Sequence, residues 1–214
     1  MKFSIEKLRP IKNGMTISRD SKLGNSTKVT YFSMGKDTSI SQESYDRMTM
    51  YIGASGWGEF IIGEEPEIIK LQPDELLIVP AGTLCGMQTS NGIVYTEIIC
   101  TGKDINMNAN VKTNEVFALK NLISYEEGSI ANMDVVSTPD MKYVLMAFDE
   151  GTGLTPHRAP GNAIVFALEG KATIGYEGKD YELSEGECFR FEKNGLHSVT
   201  ANGKFKMALL LVLE

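Results

Sequence analysis

Short runs of apolar and β-favouring residues are separated by turn residues at close, regular intervals along the chain. This pattern of hydrophobic and polar positions is typical of an all-β sandwich or barrel. The pattern predicts strands at 143–148, 163–168, 172–176, 180–183, 187–191 and 206–212. Between them, Glu177-Gly178-Lys179 and Asn202-Gly203 predict hairpin turns, because Gly adopts the positive φ that tight turns need. One helical turn is predicted within 119–125, and the predicted fold class is all-β.

The second half of the chain repeats the first. Residues 112 positions apart match across more than fifty residues without a gap, and further upstream the offset becomes 114. The matched pairs include Tyr31 and Tyr143, Met34 and Met146, Ile52 and Ile164, Gly58 and Gly170, Glu75 and Glu187, Leu84 and Leu196, and Phe3 and Phe117. Segment 101–114 is polar and rich in Asn, which predicts a linker. We therefore expect two domains, residues 1–107 and 108–214.

Charge and composition exclude several partners. The net charge of -7 repels nucleic acid and anionic lipid, and no basic cluster offsets it. The first residues lack the apolar run of a signal peptide and no segment is long and apolar enough to span a membrane, so we expect a cytoplasmic protein with no nucleic-acid and no membrane partner. The cysteines, Cys85, Cys100 and Cys188, are widely spaced, which indicates free thiols rather than disulfides.

Two motifs of the second copy resemble those of the cupins. The first runs from Gly151 through His157 and Ala163 to Gly170, and the second runs from Gly186 to His197, both with the cupin spacing. The first copy carries a fainter version in 74–85, which supplies the Pro-x-Gly that the second copy lacks. The resemblance implies two tandem cupin barrels, each a double-stranded β-helix or jelly roll, packed about a pseudo-twofold axis. One chain would then form a pseudo-dimer, and a homodimer of chains is left open.

In metal-dependent cupins, three His and one Glu bind one divalent ion. The resemblance places these positions at His157, Ala159, Ala163 and His197. Because Ala cannot coordinate, a metal such as Fe, Mn, Ni or Zn would need water, substrate or the neighbouring Asn162 to complete its shell. Three interpretations are open: the two His bind a metal, they hydrogen-bond an organic ligand together with Asn162, or they are relics of an ancestral metal site.

The corresponding positions of the first copy are Tyr45, Arg47, Tyr51 and Cys85, where no metal is expected. Arg47 would suit a carboxylate or phosphate ligand if it pointed inward, and is otherwise a solvated surface residue. Cys85 is either a reactive thiol or a small buried apolar residue. Tyr45, Arg47 and Cys85 are therefore ligand-binding candidates in a first pocket, whose use the sequence does not decide.

Three functions are compatible with these residues. The first is a bicupin that binds a small organic molecule in the pocket of its C-terminal barrel. The second is a metal-dependent oxygenase, isomerase or lyase with His157 and His197 as metal ligands. The third is a structural or interaction protein with relic pockets. Whether the protein is an enzyme is not decided, because the position of the cupin Glu is occupied by Ala163 and no catalytic acid is identified.

Overall fold

The computed structural model describes residues 1–24, 27–102 and 104–213 and is built almost entirely of β-strands. In chain order the strands are β1 (Lys2–Phe3), β2 (Thr16–Asp20), β3 (Lys28–Met34), β4 (Thr38–Ser44), β5 (Thr49–Gly56), β6 (Gly58–Ile62), β7 (Glu67–Leu71), β8 (Glu75–Val79), β9 (Leu84–Thr89), β10 (Ile93–Ile99), β11 (Asn106–Met107), β12 (Val116–Ala118), β13 (Ile130–Ser137), β14 (Met141–Phe148), β15 (Gly153–Arg158), β16 (Gly161–Tyr176), β17 (Lys179–Ser184), β18 (Cys188–Phe191) and β19 (Leu196–Leu213). Helical segments are α1 (Ile5–Leu8) and a 3₁₀ turn at Leu119–Asn121, which lies within the predicted helical turn. The all-β class predicted from the short β-rich runs is confirmed. No helix in the described part of the chain is long and apolar enough to cross a membrane.

The first half of the chain forms two sheets that face each other. One has the strand order β12-β8-β5-β10-β3-β2, and the other has the order β4-β9-β6-β7. Apolar side chains from both sheets fill the space between them, among them Met34, Phe60, Leu77, Met87 and Tyr95. This packing encloses a barrel interior that is lined by the inward-facing residues of β5, β9 and β10.

The second half contains the same succession of strands but in one continuous sheet, with the order β1-β18-β16-β19-β14-β13-β11 and with β15 and β17 at the side. β16 and β19 are long enough to take part in both faces of the barrel, and their mutual register shifts near Leu168 and Lys171. Such bulges bend a strand without ending it. The interior is filled by apolar residues that include Phe148, Phe189, Phe191, Phe205 and Met207.

Two details differ from the strand pattern predicted from the sequence. The predicted strands 163–168 and 172–176 are a single strand, because β16 continues past Gly170 and pairs with β19 on both sides of it. Asn202-Gly203 does not form a hairpin: β19 runs through it, and the positive φ of Gly203 lies in a bulge of the ladder. Glu177-Gly178 does connect β16 to β17, and both residues have positive φ as a tight hairpin requires.

A third apolar cluster lies between the two halves. Val94 and Ile98 of β10 contribute to it from one side, and Tyr143, Ile164 and Leu210 contribute from the other. Tyr95, between Val94 and Ile98 on the same strand, instead belongs to the interior of the first barrel. The period-two alternation of β10 thus packs one face of the strand into a barrel and the other against the second half.

The first strand of each half pairs with the other half. β1 pairs with β18, with Phe3 opposite Cys188, and β12 pairs with β8, with Phe117 opposite Leu76. Each half therefore supplies the edge strand that covers the other half's sheet, an arrangement that leaves fewer strand edges exposed. The division of the chain into domains 1–107 and 108–214 stays a prediction. β1 and β12 each lie on the opposite side of this boundary from the strand with which they pair.

Candidate ligand sites in the two barrels

His157 and His197 lie side by side at one end of the second barrel. β15 and β19 are antiparallel neighbours, and their register places the two His opposite each other. The ring centroids are 4.3 Å apart and the rings are tilted by 54°. His197 also stacks on Phe191 of β18, with a centroid distance of 4.2 Å. Residues that are forty positions apart in the sequence are thus brought together by strand pairing.

The backbone fixes which nitrogen of each ring carries the proton. Nδ1 of His157 lies 2.8 Å from the carbonyl oxygen of Thr155, and Nδ1 of His197 lies 2.9 Å from that of Gly195. A carbonyl oxygen only accepts hydrogen bonds, so each Nδ1 must be the donor. In the neutral ring, Nε2 is then an acceptor with a free lone pair. The site offers two such acceptors next to each other.

The two rings differ in burial. His157 is exposed, whereas only 8% of the surface of His197 is accessible. Burial lowers the pKa of His197; the hydrogen bond to the Gly195 carbonyl opposes this effect, and a positive charge on His157 would add to it. His197 is therefore neutral at neutral pH, and its Nε2 is available as an acceptor.

The residues do not fit the four-donor metal site that the cupin resemblance implies. Ala159 and Ala163 provide no donor atom, and Ala163 is packed into the same buried cluster as Phe191. Across residues 1–24, 27–102 and 104–213, no group of three or more His, Cys, Asp or Glu side chains is arranged to hold a metal ion. Two imidazole nitrogens alone leave at least two positions of a tetrahedral shell without a protein ligand.

Asn162 uses both ends of its side-chain amide in hydrogen bonds to backbone groups away from His157 and His197. Its Nδ2 donates to the carbonyl oxygen of Leu23 at 2.8 Å, and its Oδ1 accepts a hydrogen bond from the backbone N–H of Lys193 at 2.9 Å. Both ends of the amide are thus used to connect the loop before β19 with the first half of the chain. In this structure Asn162 acts on the position of that loop rather than on a ligand at the His pair.

The first-copy candidates are separated by the structure. Tyr45 and Cys85 line a cavity of about 70 Å³ inside the first barrel. The Arg47 side chain is 46% exposed, lies 3.9 Å from the carboxylate of Asp46 and does not line this cavity. Burial raises the pKa of the Cys85 thiol to about 11, so the thiolate required for reactivity is disfavoured.

Tyr51, Tyr95 and Glu97 also line this cavity, and sequence analysis did not select them as ligand-binding residues. Glu97 is 5% exposed, and burial raises the pKa of its carboxyl to about 6 against the opposing effects of the Lys28 charge and a polar contact from Tyr45. A sequence signal was available: Glu97 has the strand parity of the inward-facing Tyr95, and 112 residues later the same position holds Leu209. An acid on the buried face of a strand indicates a polar pocket.

Comparisons with known proteins agree with this architecture. Residues 144–213 match the cupin domain family. A cupin 2 conserved barrel domain protein from Leptotrichia buccalis is 25% identical over 99% of this chain and 96% of its own, with a TM-score of 0.87. The gentisate adduct of salicylate 1,2-dioxygenase from Pseudoaminobacter salicylatoxidans is 10% identical over 95% of this chain and 75% of its own, with a TM-score of 0.67, a similarity of fold alone. No curated protein matches the sequence. The second half thus matches the cupin domain family, and the chain as a whole is similar in fold to these solved structures.

Proposed function

We propose that this chain is a binding protein for a small organic molecule and that its second barrel holds this molecule at His157 and His197. The observation that carries the proposal is the pair of imidazoles 4.3 Å apart, each with Nδ1 bonded to a carbonyl. In the described residues neither Nε2 has a hydrogen-bond partner from the protein. A ligand with two hydrogen-bond donors, such as a diol or a hydroxy-amine, would satisfy both nitrogens.

The surroundings favour a ligand with an apolar body. His197 stacks on Phe191, and Phe191 packs against Tyr176 with ring centroids 5.5 Å apart. Pockets that combine aromatic walls with a few fixed polar groups are typical of small-molecule sites. The exposed ring of His157 lies at the solvent side, so a ligand would enter from there.

A metal-dependent oxygenase, isomerase or lyase is the second candidate function. One observation favours it: an imidazole whose Nδ1 donates to a carbonyl is held as metal-binding His residues usually are. The donor set argues against it, because Ala159 and Ala163 supply nothing. The binding proposal therefore ranks first.

A thermal-shift screen of small polyols, amino alcohols and their deoxy analogues tests the proposal. We expect compounds with two donors to stabilise the wild type but not the H157A/H197A double variant. The matched control is T200A, since Thr200 is an exposed residue of β19 that does not line the hollow next to His197. Ligands that stabilise the double variant equally, or a screen in which no donor pair binds, would refute the proposal.

Elemental analysis of protein purified without chelator separates the two functions. The binding proposal predicts metal far below one equivalent, unchanged in H197A. One equivalent of a transition metal that is lost in H197A would replace the proposal with the metal-dependent enzyme.

A further inference from the structure

The cavity of the first barrel is walled by aromatic rings. Phe32 and Tyr95 are stacked with centroids 5.0 Å apart, and Tyr51 and Phe60 pack at 4.7 Å. Tyr95 also lies 6.1 Å from Tyr51 and 6.2 Å from Phe60, so these rings form one connected cluster. All of them line the cavity of about 70 Å³. The faces of aromatic rings carry partial negative charge and attract cations.

The two charged residues that line this cavity are both acidic. Glu97 is buried within it, and Glu43, on β4 opposite Cys85, lies exposed at its rim. No Lys, Arg or His lines the cavity, and in the described part of the chain none forms an ion pair with Glu97. Lys28, whose charge acts on Glu97, is exposed at the start of β3. A carboxylate without an ion-pair partner is costly to bury, and among the residues that line the cavity only Tyr45 makes a compensating polar contact with it.

The second barrel lacks this combination. At the positions that pair in the same register as Tyr51, Tyr95 and Glu97 it has Val165, Met207 and Leu209. Val165 and Met207 belong to its apolar interior, against which Leu209 packs. The aromatic rings and the acid are therefore not requirements of the fold, since the same strand positions are apolar in the other half. This difference indicates a distinct ligand for the first barrel.

We propose that the first barrel binds the head group of a small organic cation, a primary or methylated ammonium, between the rings of Tyr51, Phe60 and Tyr95 and the carboxylate of Glu97. A cavity of about 70 Å³ accommodates a group of only a few heavy atoms, and any longer body would extend past Glu43 to solvent. Aromatic cages that contain a carboxylate suit such cations because ring faces and charge act together. This site is separate from the His157 and His197 site and does not rest on the function proposed for it.

Titration followed by ligand-observed NMR tests the inference on the whole chain. The probes are methylammonium and tetramethylammonium chloride, with methanol and tert-butanol as neutral counterparts of similar shape. We expect the cations to bind at millimolar concentration and the alcohols to bind at least about tenfold more weakly, because a neutral group is not attracted by the carboxylate charge and the ring faces. E97Q should weaken the cations about tenfold without affecting the alcohols.

Two further variants keep the test decisive. E43Q should weaken the cations only a few-fold, because Glu43 is exposed at the rim, and it provides a second measurement if E97Q folds poorly. The H157A/H197A double variant should bind the cations as the wild type does, which separates this site from the second barrel. Equal affinity for cations and alcohols, no cation binding at millimolar concentration, or unchanged cation affinity in a folded E97Q would overturn the inference.

Discussion

The imidazole rings of His157 and His197 lie 4.3 Å apart on neighbouring antiparallel strands, one exposed and the other buried against Phe191. At this distance the rings do not readily carry two positive charges, and the buried ring is the one that stays neutral. The neutral ring of His197 therefore has a defined arrangement of protons near neutral pH: Nδ1 is protonated and Nε2 is free. We expect ¹⁵N NMR of this imidazole to show unprotonated Nε2 above about pH 7.

The lowered pKa of His197 makes stability depend on pH. Because the folded state disfavours its charged form, the unfolded chain binds more protons below its ordinary pKa of 6.5. The contribution of His197 to stability is thus complete above pH 6.5 and is lost as the pH falls through the lower pKa of the folded state. H197F keeps an aromatic ring on Phe191 but does not titrate. Urea unfolding should show that the wild type loses stability relative to H197F below this pH, and parallel curves for the two proteins would contradict the assignment.

Glu97 should show the opposite dependence. Burial raises the pKa of its carboxyl to about 6, so its ionisation destabilises the folded protein. The penalty is absent below the unfolded value of 4.5 and is complete once the pH has risen past about 6. The titratable groups around this carboxyl are Lys28, Glu43, Tyr45, Tyr51, Cys85 and Tyr95.

E97Q is neutral at every pH and should therefore be more stable than the wild type near pH 8, by about 2 kcal/mol, and no more stable near pH 4. The check is the difference between the urea midpoints of the two proteins across this range. If E97Q is more stable and also binds cations more weakly, then the Glu97 carboxylate contributes to ligand binding and lowers the free energy of unfolding. An E97Q protein that is less stable at pH 8 would show that the carboxylate has a structural partner.

Local patterns in the sequence were sufficient for the fold class and for part of the site. Short β-rich runs between turn residues predict the strands, and motif spacing selects His157 and His197, which the strand register places opposite each other. The same local rules do not distinguish a hairpin from a bulge, since both use a Gly with positive φ. The hairpin predicted at Asn202-Gly203 is therefore wrong, because the structure has a bulge there.

Features that depend on distant parts of the chain could not be predicted in this way. No spacing rule indicates that Phe3 pairs opposite Cys188 or that the amide of Asn162 bonds to Leu23. Glu97 lies outside the motif positions that select Tyr45 and Cys85, and its inward orientation follows from its shared parity with Tyr95 on β10. Burial of an acid is visible only when a strand's inward face is known.

Arg190 connects the two halves through backbone carbonyls. Parity on β18 places it opposite Phe189 and Phe191, outside the barrel, where its guanidinium donates to the carbonyl oxygens of Ser21 and Lys22 at 2.8 and 3.0 Å. We expect R190A to lower the free energy of unfolding by about 2 kcal/mol, because charge-assisted bonds to partly buried carbonyls are lost.

K171A is the matched control for R190A. Lys171 lies 3.7 Å from Glu182 in an ion pair whose side chains are 58% and 62% exposed, so its loss should cost less than about 1 kcal/mol. Urea unfolding of both variants measures the difference. Equal effects would indicate that Arg190 makes only a surface contact.

The exchanged strands should couple the unfolding of the two halves. Phe3 belongs to the first half of the chain but pairs with β18 of the second, and its ring lies 6.0 Å from that of Tyr31. F3A removes packing on both sides, so we expect the free energy of unfolding to fall by about 2 kcal/mol for this partly buried ring.

Trp57 is the only tryptophan and lies in the first half, so its fluorescence reports on that half alone. Far-ultraviolet circular dichroism reports on all strands. If the halves unfold as one unit, F3A shifts both signals to the same lower urea concentration. A shift in circular dichroism with an unchanged Trp57 transition would mean that the second half unfolds by itself and that strand exchange does not join the two barrels energetically.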